Sequence, residues 1–236
     1  MAGGFKGIYF QSFAVKMENA VIIFLKYPEP GKVKTRLAKD IGNGKSCEIY
    51  KLLAEGIIKN VAQNNLKTYD GHIFFTPADK ENEIKNWLKS IIDNEWAFHI
   101  QYSPQKGNTL GERMSNAFQQ TLQRKDCKRC IIIGTDCPEI DATLIESVFE
   151  ILKEKDIVIG PCKDGGYYLL GMSGFVPDLF VDIDWSTDQV FIQTMEKVQK
   201  NNLSCSILKI LTDIDTQEDL YRYKSITNPS FHQSRT

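Results

Sequence analysis

The 236-residue sequence has no apolar run approaching the ~20 residues of a membrane-spanning helix; Ala20-Val21-Ile22-Ile23-Phe24-Leu25 has only the length of a strand. It lacks a dominant charge: 29 Lys plus Arg face 30 Asp plus Glu, a net charge of -1. That balance excludes a protein working through bulk charge, such as a non-specific nucleic-acid coat, while leaving room for a local basic loop. Histidine is scarce, and His72, His99 and His232 lie far apart. No periodic Gly or Pro pattern suggests collagen, and no low-complexity tract suggests disorder. The six cysteines, at 47, 127, 130, 137, 162 and 205, do not form the dense framework of a disulfide-stapled miniprotein. Cys127 and Cys130 have CxxC spacing, but no second CxxC or spaced His pair completes a structural zinc set, and the pair reads as chance spacing. These features predict a soluble, cytoplasmic protein with free thiols and no membrane span.

Residues 1–16 show no n-, h- and c-region of a signal peptide. They read as an N-terminal extension, either an upstream start or a tag remnant, since Tyr9-Phe10-Gln11-Ser12 resembles part of a protease-cleavage tag. The expected domain runs over 17–228, and 229–236 read as a polar tail. Between them strands alternate with helices. Strands are predicted at Ala20–Lys26, His72–Thr76, Phe98–Tyr102, Cys130–Gly134, Ile157–Ile159, Tyr167–Leu170 and Ser206–Leu208. Helices are predicted at Ser46–Ala62, Lys80–Ile92, Leu110–Leu122, Leu144–Leu152, Gln189–Lys200 and Gln217–Tyr223. The alternation implies one three-layer α/β/α domain around a mostly parallel sheet, in which ligands sit beyond the carboxyl ends of strands.

Four strand ends carry unusual chemistry. After the first strand, Pro28-Glu29-Pro30-Gly31 leads into cations at alternate positions, Lys32, Lys34 and Arg36. An extended segment would project them to one side, and a loop could converge them on one anion, so the segment reads as a phosphate cradle. Gly42-Asn43-Gly44-Lys45-Ser46 resembles the end of a P-loop, but Lys39 stands where its first glycine belongs. There is no GxGxxG either, so ATP hydrolysis and nicotinamide binding of the usual kinds lose support. Asp136, in Gly134-Thr135-Asp136-Cys137-Pro138, suits a hard divalent cation, because the next helix is expected to start later, near Asp141. Asp164-Gly165-Gly166 is a hairpin signal, or a floor with Tyr167 on which a sugar or acceptor packs. Asp182 with Asp184, and Asp213 with Asp215, alternate along extended segments, where two bare carboxylates would need a cation or donors. Asp215 reads equally well as the N-cap of the last helix.

As an ordered set, these motifs resemble the bacterial rSAM/selenodomain-associated glycosyltransferases of the nucleotide-diphospho-sugar transferase superfamily, with the GT-A fold. The set is Lys26-x-Pro28-x-Pro30-Gly31-x-Val33-Lys34-Thr35-Arg36-Leu37, Gln105-x-Gly107-x-x-Leu110-Gly111-Glu112-Arg113-Met114, Gly134-Thr135-Asp136-x-Pro138, Gly160-Pro161-x-x-Asp164-Gly165-Gly166-Tyr167-Tyr168 and Asp213-x-Asp215-Thr216. The resemblance implies a diphosphate held by Gly31, Lys32, Lys34, Arg36 and Arg113, and Mg²⁺ or Mn²⁺ at Asp136. It further implies a sugar or small-molecule acceptor near Gly165, Gly166, Tyr167 and Asp182, with Asp184 or Asp164 as catalytic base. Only one Asp stands where the superfamily usually has Asp-x-Asp, and Cys137 follows it. The expected reaction is metal-assisted glycosyl transfer from a nucleotide-diphospho-sugar. The alternatives are guanylyltransferase-like nucleotidyl transfer from a nucleoside triphosphate, releasing pyrophosphate, and a non-catalytic nucleotide-binding module. The oligomeric state is open.

Overall fold

β1, Asn19–Lys26, is buried on both faces, as its unbroken apolar run requires. The computed structural model describes residues 17–63, 68–95 and 100–227. The expected extension 1–16, the tail 229–236, and Phe98 and His99 of one expected strand lie outside the described residues.

The strands are β1, β2 (Asp70–Thr76), β3 (Ile100–Pro104), β4 (Arg129–Ile133), β5 (Ile157–Pro161), β6 (Tyr167–Met172) and β7 (Cys205–Ile207). Together they form one seven-stranded sheet in the order β3-β2-β1-β4-β6-β5-β7. All neighbours run parallel except β6, which is antiparallel to both β4 and β5. The helices are α1 (Thr35–Ile41), α2 (Asn43–Ala62), α3 (Glu81–Glu95), α4 (Leu110–Leu122), α5 (Ala142–Ile151), α6 (Val190–Lys200) and α7 (Gln217–Thr227).

Alternation along β1 divides the core into two layers. Val21, Ile23 and Leu25 meet α2, α3 and α5 through Ile57, Ile58, Leu88 and Val148. Ala20 and Ile22 belong to the opposite layer, with Met114 and Phe118 of α4 and Val198 of α6. Covering both faces with helices gives the expected three-layer α/β architecture. No helix among the described residues is long and apolar enough to cross a membrane.

The main local difference is α1, which begins inside the basic segment expected as a loop. Lys34 precedes it in the left-handed region, at φ 46° and ψ 46°. The chain therefore turns sharply between Lys32 and Arg36, and the alternate-side pattern of the three cations does not survive.

Candidate active site

β1 and β4 are parallel neighbours with Ile23 opposite Ile133, so the loops after both strands open at one sheet edge. The reversed β6 begins at that edge with Tyr167. These segments enclose a cleft of about 810 Å³. Its basic lining residues, Lys26, Lys34, Arg36 and Arg113, meet five aspartates, at 136, 164, 188, 213 and 215. Another hollow of about 540 Å³ lies at the opposite edge, by the start of β4 and the end of β6, and contains none of the expected site residues.

Lys34 is the centre of the site. Its side chain is 2% exposed, and its Nζ contacts Asp136 Oδ1 and donates to Asp215 Oδ1 at 3.0 Å. Burial alone would lower the ammonium's pKa; the two carboxylates outweigh it and raise the pKa above the ordinary lysine value. Arg36 stands exposed at the rim, its Nη1 3.7 Å from Asp215 Oδ2. Beneath them, Tyr50 Oη accepts from Lys26 N at 2.8 Å and donates to Lys26 O at 3.0 Å, clamping the end of β1.

Helix caps explain why the aspartates are available. Asp141 caps α5, accepting from Leu144 N at 2.8 Å, so Asp136 is not needed there. At α7 the capping reading of Asp215 is corrected. Thr216 Oγ1 accepts from Asp219 N at 3.2 Å, and Asp219 Oδ2 accepts from Thr216 N at 2.9 Å. This reciprocal capping box satisfies the helix start and leaves Asp215 to hold Lys34. Ile214 N donates to Asp136 O at 3.1 Å, tying the two aspartate-bearing segments together.

Asp213 faces sulfur instead. Its Oδ1 accepts from Cys137 Sγ at 2.8 Å and from Cys162 Sγ at 3.2 Å. Burial pushes the Asp213 carboxyl above the usual range, and the two donated hydrogen bonds pull against that rise. All six cysteines are free thiols, as expected.

The remaining expected residues divide. Asp164, Gly166, Tyr167 and Arg113 line the cleft, and Arg113 Nε donates to Thr109 O at 3.2 Å. Asp164 Oδ1 accepts from Gly166 N at 3.0 Å in the turn joining β5 to β6, the hairpin anticipated from Asp-Gly-Gly. Gly165 adopts φ +88°, and a Cβ there would lie 2.2 Å from Asp188 O, so a side chain would collide as well as strain the turn. Gly31 and Lys32 do not line the cleft. Nor do Asp182 and Asp184. Asp182 Oδ2 lies 3.9 Å from Lys197 Nζ, and Asp184 Oδ2 accepts from Gln193 Nε2 at 2.7 Å.

Gln105 and Trp185 are among the lining residues to which the sequence assigns no role. Gln105 Nε2 donates to Phe74 O at 2.9 Å, fixing the loop after β3. Trp185 stacks on Phe180 with centroids 6.4 Å apart and meets Tyr167 edge-on at 6.4 Å. A Cβ on Gly111 would lie 2.2 Å from Trp185 Nε1. The Leu-Gly-Glu-Arg motif therefore needs glycine so that α4 can pack against this indole. Burial holds the Tyr167 phenol far above its ordinary pKa.

Asp136 and Asp215 are oxygen donors with side chains 43% and 35% exposed. This pair suits a hard divalent cation that keeps waters and phosphate oxygens in its shell. The donor chemistry fits Mg²⁺ or Mn²⁺.

A family model described as "Uncharacterized protein conserved in bacteria (DUF2064)" matches residues 60–187, more than half of the chain. A solved structure from Desulfovibrio desulfuricans G20, provisionally named a nucleotide-diphospho-sugar transferase, is 34% identical. It covers 93% of this chain and 92% of its own, with a TM-score of 0.80. The 2-phospho-L-lactate guanylyltransferase of Methanocaldococcus jannaschii is 29% identical over 175 residues, 66% of this chain and 76% of that protein. 4-Diphosphocytidyl-2C-methyl-D-erythritol synthase from Anaerococcus prevotii shares the fold at 12% identity, with a TM-score of 0.57 over 90% of this chain and 96% of that one.

Proposed function

Since the chain belongs to the DUF2064 family, whose description names no reaction, we propose from its cleft that it is a nucleotidyltransferase. It joins the nucleoside monophosphate of a nucleoside triphosphate to a small phosphorylated acceptor and releases pyrophosphate. The observation that carries this reading is the buried Lys34 ammonium, held between Asp136 and Asp215 where the β1 and β4 loops meet. The guanylyltransferase relative supports the same class of reaction.

In this reaction an acceptor phosphate oxygen attacks the α-phosphorus, and the bond from that phosphorus to the bridging oxygen breaks. Pyrophosphate leaves with the electron pair. A phosphate nucleophile is already ionised near neutral pH and needs no general base. The chain's task is therefore to position two anions and stabilise the charge that develops on the leaving group. Lys34 supplies a fixed, desolvated positive charge, and Arg36 adds an exposed one at the rim. Asp136 and Asp215 would hold Mg²⁺ or Mn²⁺, which when bound neutralises phosphate oxygens. Tyr167 and Trp185 give the far wall an aromatic surface for the acceptor.

Glycosyl transfer to a hydroxyl acceptor is the second reading, supported by the name of the Desulfovibrio relative. It requires a carboxylate base beside the acceptor. Of the two expected bases, Asp184 is outside the cleft and bound to Gln193, which leaves Asp164 for that role. Product analysis separates the two. Incubating the protein with the four nucleoside triphosphates, Mg²⁺ and a panel of phosphorylated small acids and sugar phosphates should yield acceptor-dependent pyrophosphate. Nucleoside diphosphate released from a nucleotide sugar, with no pyrophosphate from any triphosphate, would overturn the first reading.

A further inference from the structure

The floor of the cleft contains a group of atoms that neither transfer reaction uses. Cys137, Cys162 and Asp213 bring two sulfurs and a carboxylate oxygen within 4.8 Å of one another. Both cysteines are buried, and Asp213 lines the cleft. They come from three separate segments: the end of β4, the end of β5, and the chain leading into α7. Each segment is fixed by backbone bonds. Cys162 N donates to Gly166 O at 2.9 Å, Lys163 N to Leu211 O at 3.2 Å, and Ile214 N to Asp136 O at 3.1 Å. The convergence is thus built by the sheet edge rather than by flexible side chains.

We propose that Cys137, Cys162 and Asp213 form a binding site for a thiophilic divalent cation of the Zn²⁺ type, separate from the oxygen-only pair Asp136 and Asp215. Hardness distinguishes the two sites, since thiolates select soft or borderline ions and carboxylate-only sets suit Mg²⁺. Size also fits. With metal–sulfur bonds of ~2.3 Å and a metal–oxygen bond of ~2.1 Å, tetrahedral ligands lie roughly 3.8 Å (S···S) and 3.6 Å (S···O) apart. The present S···O separations of 2.8 and 3.2 Å need to open by less than about 1 Å. The two thiol protons now directed at one Asp213 oxygen leave to solvent as the cation enters. Three protein ligands leave the fourth position open towards the cleft, for a water or a phosphate oxygen. The CxxC pair takes no part in this group: Cys127 Sγ bonds the carbonyl of Arg129 at 3.5 Å.

The test is a Co²⁺ titration of the reduced, chelator-treated full chain, followed by absorption spectroscopy. The expected result is sulfur-to-cobalt charge transfer with tetrahedral d–d bands, saturating at one equivalent. Zn²⁺ should bleach these bands, whereas excess Mg²⁺ should leave them. Charge transfer should be lost in Cys137→Ser and in Cys162→Ser, and kept when Cys127 and Cys130 are both changed to Ser. Asp213→Asn should shift the titration to higher Co²⁺ concentration. Wild-type alkylation followed by peptide mapping gives a readout that needs no variant: Zn²⁺ should protect Cys137 and Cys162 selectively. Absence of charge transfer in the folded wild type, its persistence in both single-serine variants, or unprotected Cys137 and Cys162 would each overturn the proposal. None of these readouts depends on which group the cleft transfers.

Discussion

Replacing Lys34 with Met removes the ammonium while keeping a long side chain at a position only 2% exposed. At about 3 Å and an effective dielectric of ~20, the ammonium attracts each carboxylate by roughly 5–6 kcal/mol before desolvation. Most of that gain is offset by the cost of burying the charge. Breaking a fully buried pair costs about 3–5 kcal/mol, but Asp136 and Asp215 retain 43% and 35% exposure and can rehydrate. A net stability loss of about 1–3 kcal/mol follows. Losing a charged hydrogen bond to phosphate should cost another 1.5–3 kcal/mol of binding, which raises the nucleotide Kd roughly 10- to 150-fold. The effect on Mg²⁺ alone has the opposite sign: with the competing ammonium gone, the two carboxylates should bind it more tightly. The raised Lys34 pKa also fixes the pH window of the stability effect. The ion pair's contribution is fully present below 10.5, the ordinary lysine value, and is lost only as pH rises through the higher folded value. Calorimetric titration with Mg²⁺ alone, and with a non-hydrolysable triphosphate at saturating Mg²⁺, gives both affinities, and a urea melt gives the stability. A folded Lys34→Met protein whose nucleotide Kd changes less than about threefold would refute the assignment of Lys34 to phosphate.

Two further changes test the walls of the site and the core behind it. Gly111→Ala places a methyl group 2.2 Å from Trp185 Nε1, which should displace the indole from Phe180 and Tyr167 at a cost of about 1–3 kcal/mol; an unchanged melting temperature and unchanged Trp185 fluorescence, assigned with Trp185→Phe, would contradict the packing argument. His72 is buried, with Nε2 3.0 Å from Ser103 Oγ, and burial first and Arg124 second lower its pKa from 6.5 to about 4. Its depressed value means stability present above pH 6.5 and lost as pH falls towards 4, amounting to about 2 kcal/mol between pH 8 and pH 5. Urea melts at those two pH values should show that loss in the wild type and a smaller one in His72→Phe; equal losses would remove His72 as the titrating group.

Most of the fold was legible because the strands are apolar runs and α4 has a clear 3.6-residue period, so its expected bounds, Leu110–Leu122, match the observed ones. α1 was hidden. Thr35–Ile41 has only Leu37 buried, and the cue to its start is a left-handed Lys34, which no local pattern announces. The direction of β6 was signalled only by the Asp164-Gly165-Gly166 turn, since Tyr-Tyr-Leu-Leu itself is apolar whichever way a buried strand runs. At the site, the residue types were readable and their partners were not. Asp182 and Asp184 looked equivalent to Asp213 and Asp215, since both pairs alternate. Only tertiary contacts send the first pair to Lys197 and Gln193 and the second into the cleft. Thr216 and Asp219 could have been recognised as a capping box from their spacing, which would have released Asp215 earlier. The meeting of Cys137 and Cys162, 25 positions apart, required the sheet order itself.

The reversed β6 has a bearing on how such a protein can change its acceptor. In a wholly parallel sheet each new wall segment at the ligand edge comes with a crossover helix, so altering it disturbs a packed layer. Here the chain returns from β5 to β6 at that edge through only residues 162–166, with Asp164 and Gly166 already lining the cleft. Substitutions at Asp164 would reshape one wall while both core layers stay in place. The Gly165–Asp188 contact limits that freedom, because it locks the turn against the segment carrying Trp185, and the backbone bonds of Cys162 and Lys163 limit it further. On the proposed reading, acceptor choice can therefore drift within a five-residue reversal while the proposed phosphate-binding side, built on Lys34 and its two aspartates, stays constant.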